Sequence, residues 1–509
     1  MQSPANPEST LRLEKLPTHI DGFDHIAGGG LPLGRTTLVA GSAGSCKSVF
    51  AAQFLAAGIL HAGDAGVFVT FEESVNDLRR NMTSFGWEIA DWERAGKWAF
   101  VDAAPETDAP PSVIGEFDFN ALIARIERAV KHTGARRLSM DSLGAVLSRF
   151  PDRPTVRREL FRVAEAVKRM GVTAVMTAER TVEYGDLSQF GVEEFVADNV
   201  VVLRNTLAEQ KRRRTLEILK FRGTFHHKGE YPFTVVPDRG IVIIPLSAIE
   251  LTQHSSNERM TSGSADLDTM CGGGLFRDSI VLISGATGTG KTLMATEFIA
   301  GGAALKERSL LFAFEESRQQ LFRNASSWGV DLPRMENDGL LRVCCEYPEA
   351  AGMEDHLIRM KKIIEEYRPR RVAVDSLSAL ERVSSVQGFR EFVIWLTSYI
   401  KQQQIAGLYT AASPNLFGGT SVTDEHISTI TDSIILLRYV EMHGEMRRGV
   451  MVLKMRGSNH DKDIREFLID ATGMHIGRPF REVSGILSGR PRQAVGVELE
   501  RIRNLYPQA

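Results

Sequence analysis

Cysteine is scarce, with four residues, Cys46, Cys271, Cys344 and Cys345, in a chain of 509. They show neither the C-x-x-C spacing of a zinc site nor the density of a disulfide framework, which excludes a small disulfide-stapled fold and suits a reducing compartment. Surplus positive charge is missing too. Lys plus Arg is 61 against 64 Asp plus Glu, a formal net charge of −3, so no specific nucleic-acid partner is expected. The run Lys211, Arg212, Arg213, Arg214 is short and flanked by Glu209 and Glu217; it reads as a solvated turn between strands, with a nucleic-acid contact as the alternative. No apolar run reaches the length that spans a bilayer, and residues 1–17 are polar and Pro-containing without an apolar signal core. Membrane anchoring and export are therefore not expected, and a cytoplasmic location is.

What is present is an ordinary globular composition, 43% hydrophobic and 25% charged, in a chain long enough for two or more cores. The chain also repeats itself. Residues 23–41 (FDHIAGGGLPLGRTTLVAG) return 244 residues later as LDTMCGGGLFRDSIVLISG, and FVTFEES at Phe68 returns 243 residues later as LFAFEES. MDSL at Met140 and LKFRGTFH at Leu219 return as VDSL and LKMRGSNH, each 234 residues on. The first copy thus carries a net insertion of nine residues, which the Pro-rich stretch 104–115 accommodates as a surface loop. Strand-like runs at 36–39, 67–71, 137–140, 172–177 and 200–203 alternate with amphipathic helical patterns at 120–132 and 155–170. The second copy repeats the runs at 280–284, 310–314, 371–374, 407–410 and 433–437. Such alternation predicts an α/β fold with a mainly parallel sheet in each copy, joined through the polar stretch 246–264.

Gly285-Ala-Thr-Gly288-Thr289-Gly290-Lys291-Thr292 is a complete G-x-x-x-x-G-K-[ST] loop between an apolar strand and a helical pattern at 293–300. Its glycines let backbone N–H groups curl around phosphates, Lys291 bridges the β- and γ-phosphates, and the Thr292 hydroxyl ligates Mg²⁺. The first copy reads Gly41-Ser-Ala-Gly44-Ser45-Cys46-Lys47-Ser48, with Cys46 at the second motif glycine. Either this loop is a decayed structural relic or, given Lys47 and Ser48, a working site that tolerates a Cβ. Each copy then offers an acid pair after a strand, Glu72 and Glu73, then Glu315 and Glu316, suited to orienting a water or hydroxyl nucleophile. Asp141 and Asp375 close apolar strands, as a carboxylate that holds Mg²⁺ does; capping the next helix is the alternative. The segments with Lys220, Arg222, Thr224 and His226, and with Lys454, Arg456, Ser458 and His460, alternate at strand period. Such a face suits a phosphate, and a solvated edge strand is the competing reading.

GVEEFVADNVVVLRN (from Gly191), RRRTLEILKFRGTFHHKGEYPF (from Arg212), SGATGTGKT (from Ser284), VDSLSAL (from Val374) and TDEHISTITDSIILLRYVE (from Thr423) resemble the KaiC family along nearly the whole chain. The resemblance implies two tandem RecA-like P-loop domains, 1–247 and 248–480, with a tail at 481–509, stacked as two rings in a homohexamer. It implies ATP held with Mg²⁺ between subunits. Gly44, Ser45, Cys46, Lys47 and Ser48, and Gly288, Thr289, Gly290, Lys291, Thr292 and Trp328, would bind it from one subunit. Lys220, Arg222 and His226, and Lys454, Arg456, Ser458 and His460, would reach across from the next, which accounts for basic strands without a partner in their own domain. Ser48, Asp141, Thr292, Glu315 and Asp375 become the metal ligands. The first domain would be a slow hydrolase using Glu72 and Glu73 near Phe195. The second would be an autokinase and autophosphatase, with phosphoacceptors Ser428 and Thr429, Thr423 as auxiliary site, Glu315 as base, Glu316 beside it, and Arg382 steadying the phosphoryl group. A KaiB-like partner and a downstream histidine kinase or other output protein are implied, while KaiA is left open. The chain departs from the family at Cys46, at Glu425 where a serine is usual, and at Asn459 where an aromatic is usual. Two other classes compete: a DNA-dependent motor on the same core, and a ring scaffold that holds ATP for assembly.

Overall fold

The structure, a computed structural model, describes residues 13–103, 119–147, 152–185, 196–208, 211–245, 255–413, 427–442 and 444–481, with 483–484, 486 and 492–493. Two compact units divide the chain, Met1–Ala248 and Ile249–Ala509. In the first, β1 (Thr36–Gly41), β2 (Gly66–Thr70), β3 (Trp98–Asp102), β4 (Arg137–Asp141), β5 (Thr173–Glu179) and β6 (Asn199–Ala208) form a parallel block. Strands β7 (Lys211–Phe221), β8 (Glu230–Val236) and β9 (Gly240–Ile243) extend it antiparallel, in the order β9-β8-β7-β6-β1-β5-β4-β2-β3.

Period-two alternation builds two core layers on this sheet. Val39, Val201 and Leu203 face one cluster, while Leu38, Ala40, Val200 and Val202 face the other. Helix α1 (Lys47–Ala62) fills the first layer. It is apolar on nearly every side, burying Phe50, Ala51, Phe54, Leu55 and Ile59, as a helix enclosed by its own domain must be. Helices α2 (Phe119–Thr133) and α3 (Arg153–Met170) cover the other face with single stripes, Leu122, Ile126 and Val130, then Val156, Leu160, Val163 and Val167.

The second unit repeats the design. Strands β10 (Ile280–Gly285), β11 (Ser309–Ala313), β12 (Leu341–Cys345), β13 (Arg371–Asp375), β14 (Ala406–Ala412) and β15 (Ser433–Met442) are parallel; β16 (Glu445–Met455), β17 (Arg465–Asp470) and β18 (Gly473–Pro479) are antiparallel. Their order, β18-β17-β16-β15-β10-β14-β13-β11-β12, matches the first unit position by position. Helices α4 (Lys291–Ala304), α5 (Met353–Tyr367) and α6 (Val386–Gln402) take the places of α1, α2 and α3, and the short α7 (Ile427–Ile430) precedes β15. No helix among the described residues is long and apolar enough to cross a membrane.

Every strand expected from the hydrophobic runs is present in both copies. Three expectations change. The basic run 211–214 is not a turn but the first four residues of β7, where the arginines cross-pair with β6 and Arg214 Nε donates to the Gly44 carbonyl at 3.2 Å. The basic strands are not sheet edges, since β7 lies between β6 and β8 and β16 between β15 and β17. Part of the polar joining stretch is folded as a short strand, Arg259–Met260, paired with Leu275–Phe276. The loop at 104–115 lies outside the described residues.

Candidate nucleotide site

Both P-loops leave the C-terminal end of the central strand and enter a long helix. Strand β1 ends at Gly41 and α1 begins at Lys47; β10 ends at Gly285 and α4 begins at Lys291. The position before each lysine has left-handed backbone, φ 108° at Gly290 and φ 71° at Cys46. At Gly290 a Cβ would stand 2.9 Å from the Phe467 ring and 3.0 Å from Ile469 Cδ1. By register Val235 occupies the place of Ile469 in the first unit, and valine has no Cδ1, which opens part of the space that Cys46 needs. Residual strain remains, because a β-carbon in this region costs about 1–2 kcal/mol. Cys46→Gly is therefore expected to be more stable to denaturant than Cys46→Ala by about 1 kcal/mol. An alanine variant as stable as the glycine variant would mean that the loop carries no strain.

Loop carbonyls hold the lysines where phosphate oxygens would sit. Lys47 Nζ donates to the Ser42 carbonyl at 3.0 Å, and Lys291 Nζ to those of Gly285 and Ala286 at 2.9 and 3.0 Å. Burial lowers both ammonium pKa values, so an anion that displaces these carbonyls is welcome. The same burial pushes the Cys46 thiol up. Ser45 and Thr289 tie the loops by donating to the Ser42 and Ala286 carbonyls, each at 2.7 Å.

Asp141 and Asp375 are the last residues of β4 and β13. Each is buried and accepts from a threonine on the neighbouring strand, Thr177 or Thr410. The N-cap of the helix after β13 is Ser376, so the helix-capping alternative for Asp375 is set aside. Burial raises the Asp375 pKa, opposed by hydrogen bonds from Thr410 and Thr292. Thr292 and Asp375 thus present a hydroxyl and a carboxylate side by side. No cluster of three or more His, Cys, Asp or Glu arranged to hold a metal occurs among the described residues. A Mg²⁺ that takes most of its oxygens from phosphates and water fits such a sparse set.

The acid pairs follow β2 and β11 at the same end of the sheet but in unlike surroundings. Glu72 accepts from Ser142 Oγ at 3.3 Å; burial raises its pKa, and the charge of Glu179 raises it further. Glu315 instead accepts from Arg382 Nη2 at 2.9 Å. Glu73 and Glu316 accept from Asn81 and Asn324, at 3.3 and 3.1 Å, and burial raises the pKa of Glu316. Trp328 is the C-cap of the helix Arg318–Ser327 and packs half-buried on the core.

The basic segments lie at the opposite end. Lys220 pairs with Val200 and Lys454 with Ile434, beside the N-terminal ends of β6 and β15, and the strands stop at Phe221 and Met455 so that Arg222 and Arg456 fall in the following turns. They do have partners in their own domain, contrary to the expectation. Lys220 Nζ donates to the Ala197 carbonyl at 2.8 Å and Lys454 Nζ to that of Thr431 at 2.7 Å. Burial lowers the pKa of Lys454 and of His226. The Ser458 hydroxyl is taken by Arg259 at 2.6 Å, and Thr224 and His460 are partly buried. Arg456 Nη2 donates to the Thr429 carbonyl at 2.9 Å, so α7 shares this end. The side chain of Ser428, and Thr423, Glu425 and Phe195 altogether, lie outside the described residues.

Sequence reading missed two groups here. Glu179 closes β5 opposite Gly41 where the second unit has Ala412 opposite Gly285. Glu183 accepts from Ser42 Oγ at 2.5 Å and from the Asn205 N–H at 3.0 Å, clasping the first P-loop to β6. Aligning the two copies would have exposed Glu179 as a charge unique to the first.

A phosphate-binding loop on the central strand of a mainly parallel sheet, made twice, defines a tandem P-loop nucleotide-binding protein of RecA-like class. The family model described as "ATPase: KaiC" matches residues 16–248 and again 260–480. The chain is 64% identical over 501 residues to the circadian clock protein KaiC3 of Synechocystis sp., covering 98% of this chain and 99% of that one. It is 53% identical to the circadian clock oscillator proteins KaiC of Thermostichus vulcanus and Synechococcus elongatus, over 96% of this chain and 94% of each relative. This protein belongs to the KaiC family of ATPases.

Proposed function

We propose that the chain works as an ATP-driven serine/threonine autokinase and autophosphatase in a homohexameric ring, in a circadian-type timing role. One observation carries this reading. In each domain the P-loop and acid pair stand at the C-terminal end of the parallel strands, and the basic segment stands at the N-terminal end. The six residues of β1 between them span roughly 17 Å at about 3.3 Å per residue, too far for one nucleotide to touch both ends of its own domain. A head-to-tail neighbour supplies the missing end, and such an interface closes into a ring. In the second domain the acceptor helix sits at the basic end, so its hydroxyls meet the neighbour's γ-phosphate and not their own.

The second-domain reaction then follows. A hydroxyl oxygen of Ser428 or Thr429 attacks the γ-phosphorus in line, its proton passes to Glu315, the bond to the bridging oxygen breaks and ADP leaves. Arg382, Lys454 and Arg456 face the charge on the moving phosphoryl group. Bound Mg²⁺, held by Thr292 and Asp375, supplies charge neutralisation on the phosphates. The same geometry run in reverse returns the phosphoryl group to ADP. In the first domain water takes the hydroxyl's place beside Glu72 and Glu73, and no acceptor helix competes for it. Relatives named as circadian clock proteins at 53–64% identity support the timing role, in which a KaiB-like protein would be the partner.

The test is assembly. With ATP and Mg²⁺, sedimentation velocity should show a hexamer, and dilution below the assembly range should abolish turnover; a monomer that hydrolyses at full rate would sink the reading. A second expectation concerns pH. Glu179→Gln removes the second cause of the raised Glu72 pKa and leaves the larger one, burial, in place. Glu72 then stays ionised to lower pH, and the acid limb of first-domain hydrolysis, measured with Lys291→Ala silencing the second site, should move to lower pH. An unmoved limb would remove Glu72 as the titrating base.

A further inference from the structure

Both domains repeat a constellation whose aspartates the reaction above leaves unused. One residue before β6 stands Asp198, and one residue before β15 stands Asp432. The last turn of the preceding long helix brings a lysine to each: Lys168 Nζ is 3.5 Å from Asp198 Oδ2, and Lys401 Nζ is 2.7 Å from Asp432 Oδ2. The turn after the basic strand brings an arginine, with Arg222 Nη1 at 3.8 Å from Asp198 Oδ1 and Arg456 Nη1 at 3.9 Å from Asp432 Oδ1. The aspartates are sheltered, 2% and 17% exposed, whereas the arginines are 52% and 55% exposed.

A sheltered carboxylate needs a cation: Lys401 supplies one to Asp432, while Asp198 has both Lys168 and Arg35, the latter with Nη1 at 3.3 Å from Oδ1. The arginine of the turn is different. At 3.8–3.9 Å and half in water it adds little to folding, yet it recurs at the same place in both halves. What the aspartate does for the arginine is aim it. In the second domain the Arg456 guanidinium has Nη1 facing Asp432 and Nη2 donating to the Thr429 carbonyl, so its planar fork is braced from two sides at the sheet end. A fork aligned beforehand loses less rotamer freedom when a phosphate arrives.

We propose that Asp432, and Asp198 in the first domain, are positioning residues that hold Arg456 and Arg222 toward the nucleotide of the adjacent subunit. The inference rests on the shared-pocket reading above. Asp432 also accepts from the Ile280 N–H at 2.9 Å, a bond that asparagine can keep while the ion pair with Lys401 is lost, so Asp432→Glu, which keeps the charge, is the control for that loss.

Phosphate incorporation from γ-labelled ATP, followed over a range of ATP concentrations, compares wild type, Asp432→Asn, Arg456→Ala and the double variant. Asp432→Asn should lower kcat about tenfold with KM for ATP changed less than about twofold, and Asp432→Glu should recover at least about half the rate. The double variant should be no slower than Arg456→Ala, because the aspartate acts only through the arginine. A readout without turnover is the ratio of ADP to ATP concentrations that half-assemble the ring. That ratio reports γ-phosphate recognition and should shrink by similar factors in Asp432→Asn and Arg456→Ala. If Arg456→Ala slows the reaction and Asp432→Asn multiplies the loss by its full single-variant factor, the positioning role is wrong. If Arg456→Ala phosphorylates at the wild-type rate, the shared pocket itself is wrong and the proposal falls with it.

Discussion

Given γ-labelled ATP and Mg²⁺, the Ser428→Ala/Thr429→Ala protein should incorporate roughly one-twentieth or less of the wild-type label. Phosphoryl transfer needs an oxygen nucleophile in line with the leaving group, and alanine offers none. Thr429 lies exposed on α7, and its carbonyl is tied to Arg456, so the proposed acceptor helix and the cation proposed to meet the phosphate are parts of one piece of surface. Hydrolysis by the first domain uses neither residue and should persist, which separates loss of acceptor from loss of fold. Label retained in the double alanine protein would move the acceptor elsewhere, with Thr423 the first place to look.

The second large effect comes from mixing two inactive proteins. Lys291→Ala removes the cation that holds the phosphates, Arg456→Ala removes the one offered to the neighbour, and each alone should lose about a hundredfold or more in phosphate incorporation. Mixed one to one and reassembled, they should recover about one quarter of the wild-type rate, since random rings place an intact loop against an intact arginine at one interface in four. Recovery requires that the two residues serve one nucleotide from different chains. No recovery, from a mixture shown to form mixed rings, would mean that each chain completes its own site, against the distance between the ends of β10.

The two acid pairs show why duplicated motifs need not do duplicated chemistry. Glu315 faces Arg382, a cation that also suits the moving phosphoryl group, whereas Glu72 faces the anion Glu179 and is held above the ordinary carboxylate range, first by burial. The matching pairs FEES and FEES are identical in sequence. Their difference is made by residues more than sixty positions away along the chain, which the sheet brings back to the same end.

Much of this was legible before any coordinates. The short, nearly continuous apolar runs located β1, β2, β4, β5 and β6 and their counterparts, because a strand buried on both faces must be apolar throughout. The glycine spacing located the second P-loop, and the repeat, with Lys47 and Ser48 retained, located the first, where Cys46 stands at the second motif glycine. The basic strands were misjudged for an equally physical reason. Alternation of charge looks the same on an interior strand whose end reaches a carbonyl as on an edge in water, and only pairing with β6 and β8 tells them apart. The run 211–214 read as a turn because four cations in a row look solvated, yet in β7 they are spread over two faces and cross-strand neighbours.

By itself, then, the order of residues determined that two copies of one α/β domain would form, where the two P-loops would fall and which carboxylates would follow the strands, since periodicity and loop chemistry are local. The tertiary structure alone decided that the grip and the cations lie at opposite ends of the same sheet, that Asp198 and Asp432 brace the arginines, and that Glu179 sits by Glu72. Those are relations between segments far apart in the chain, and they come into being only when parallel strands, each carried back by a crossover helix, align their like ends.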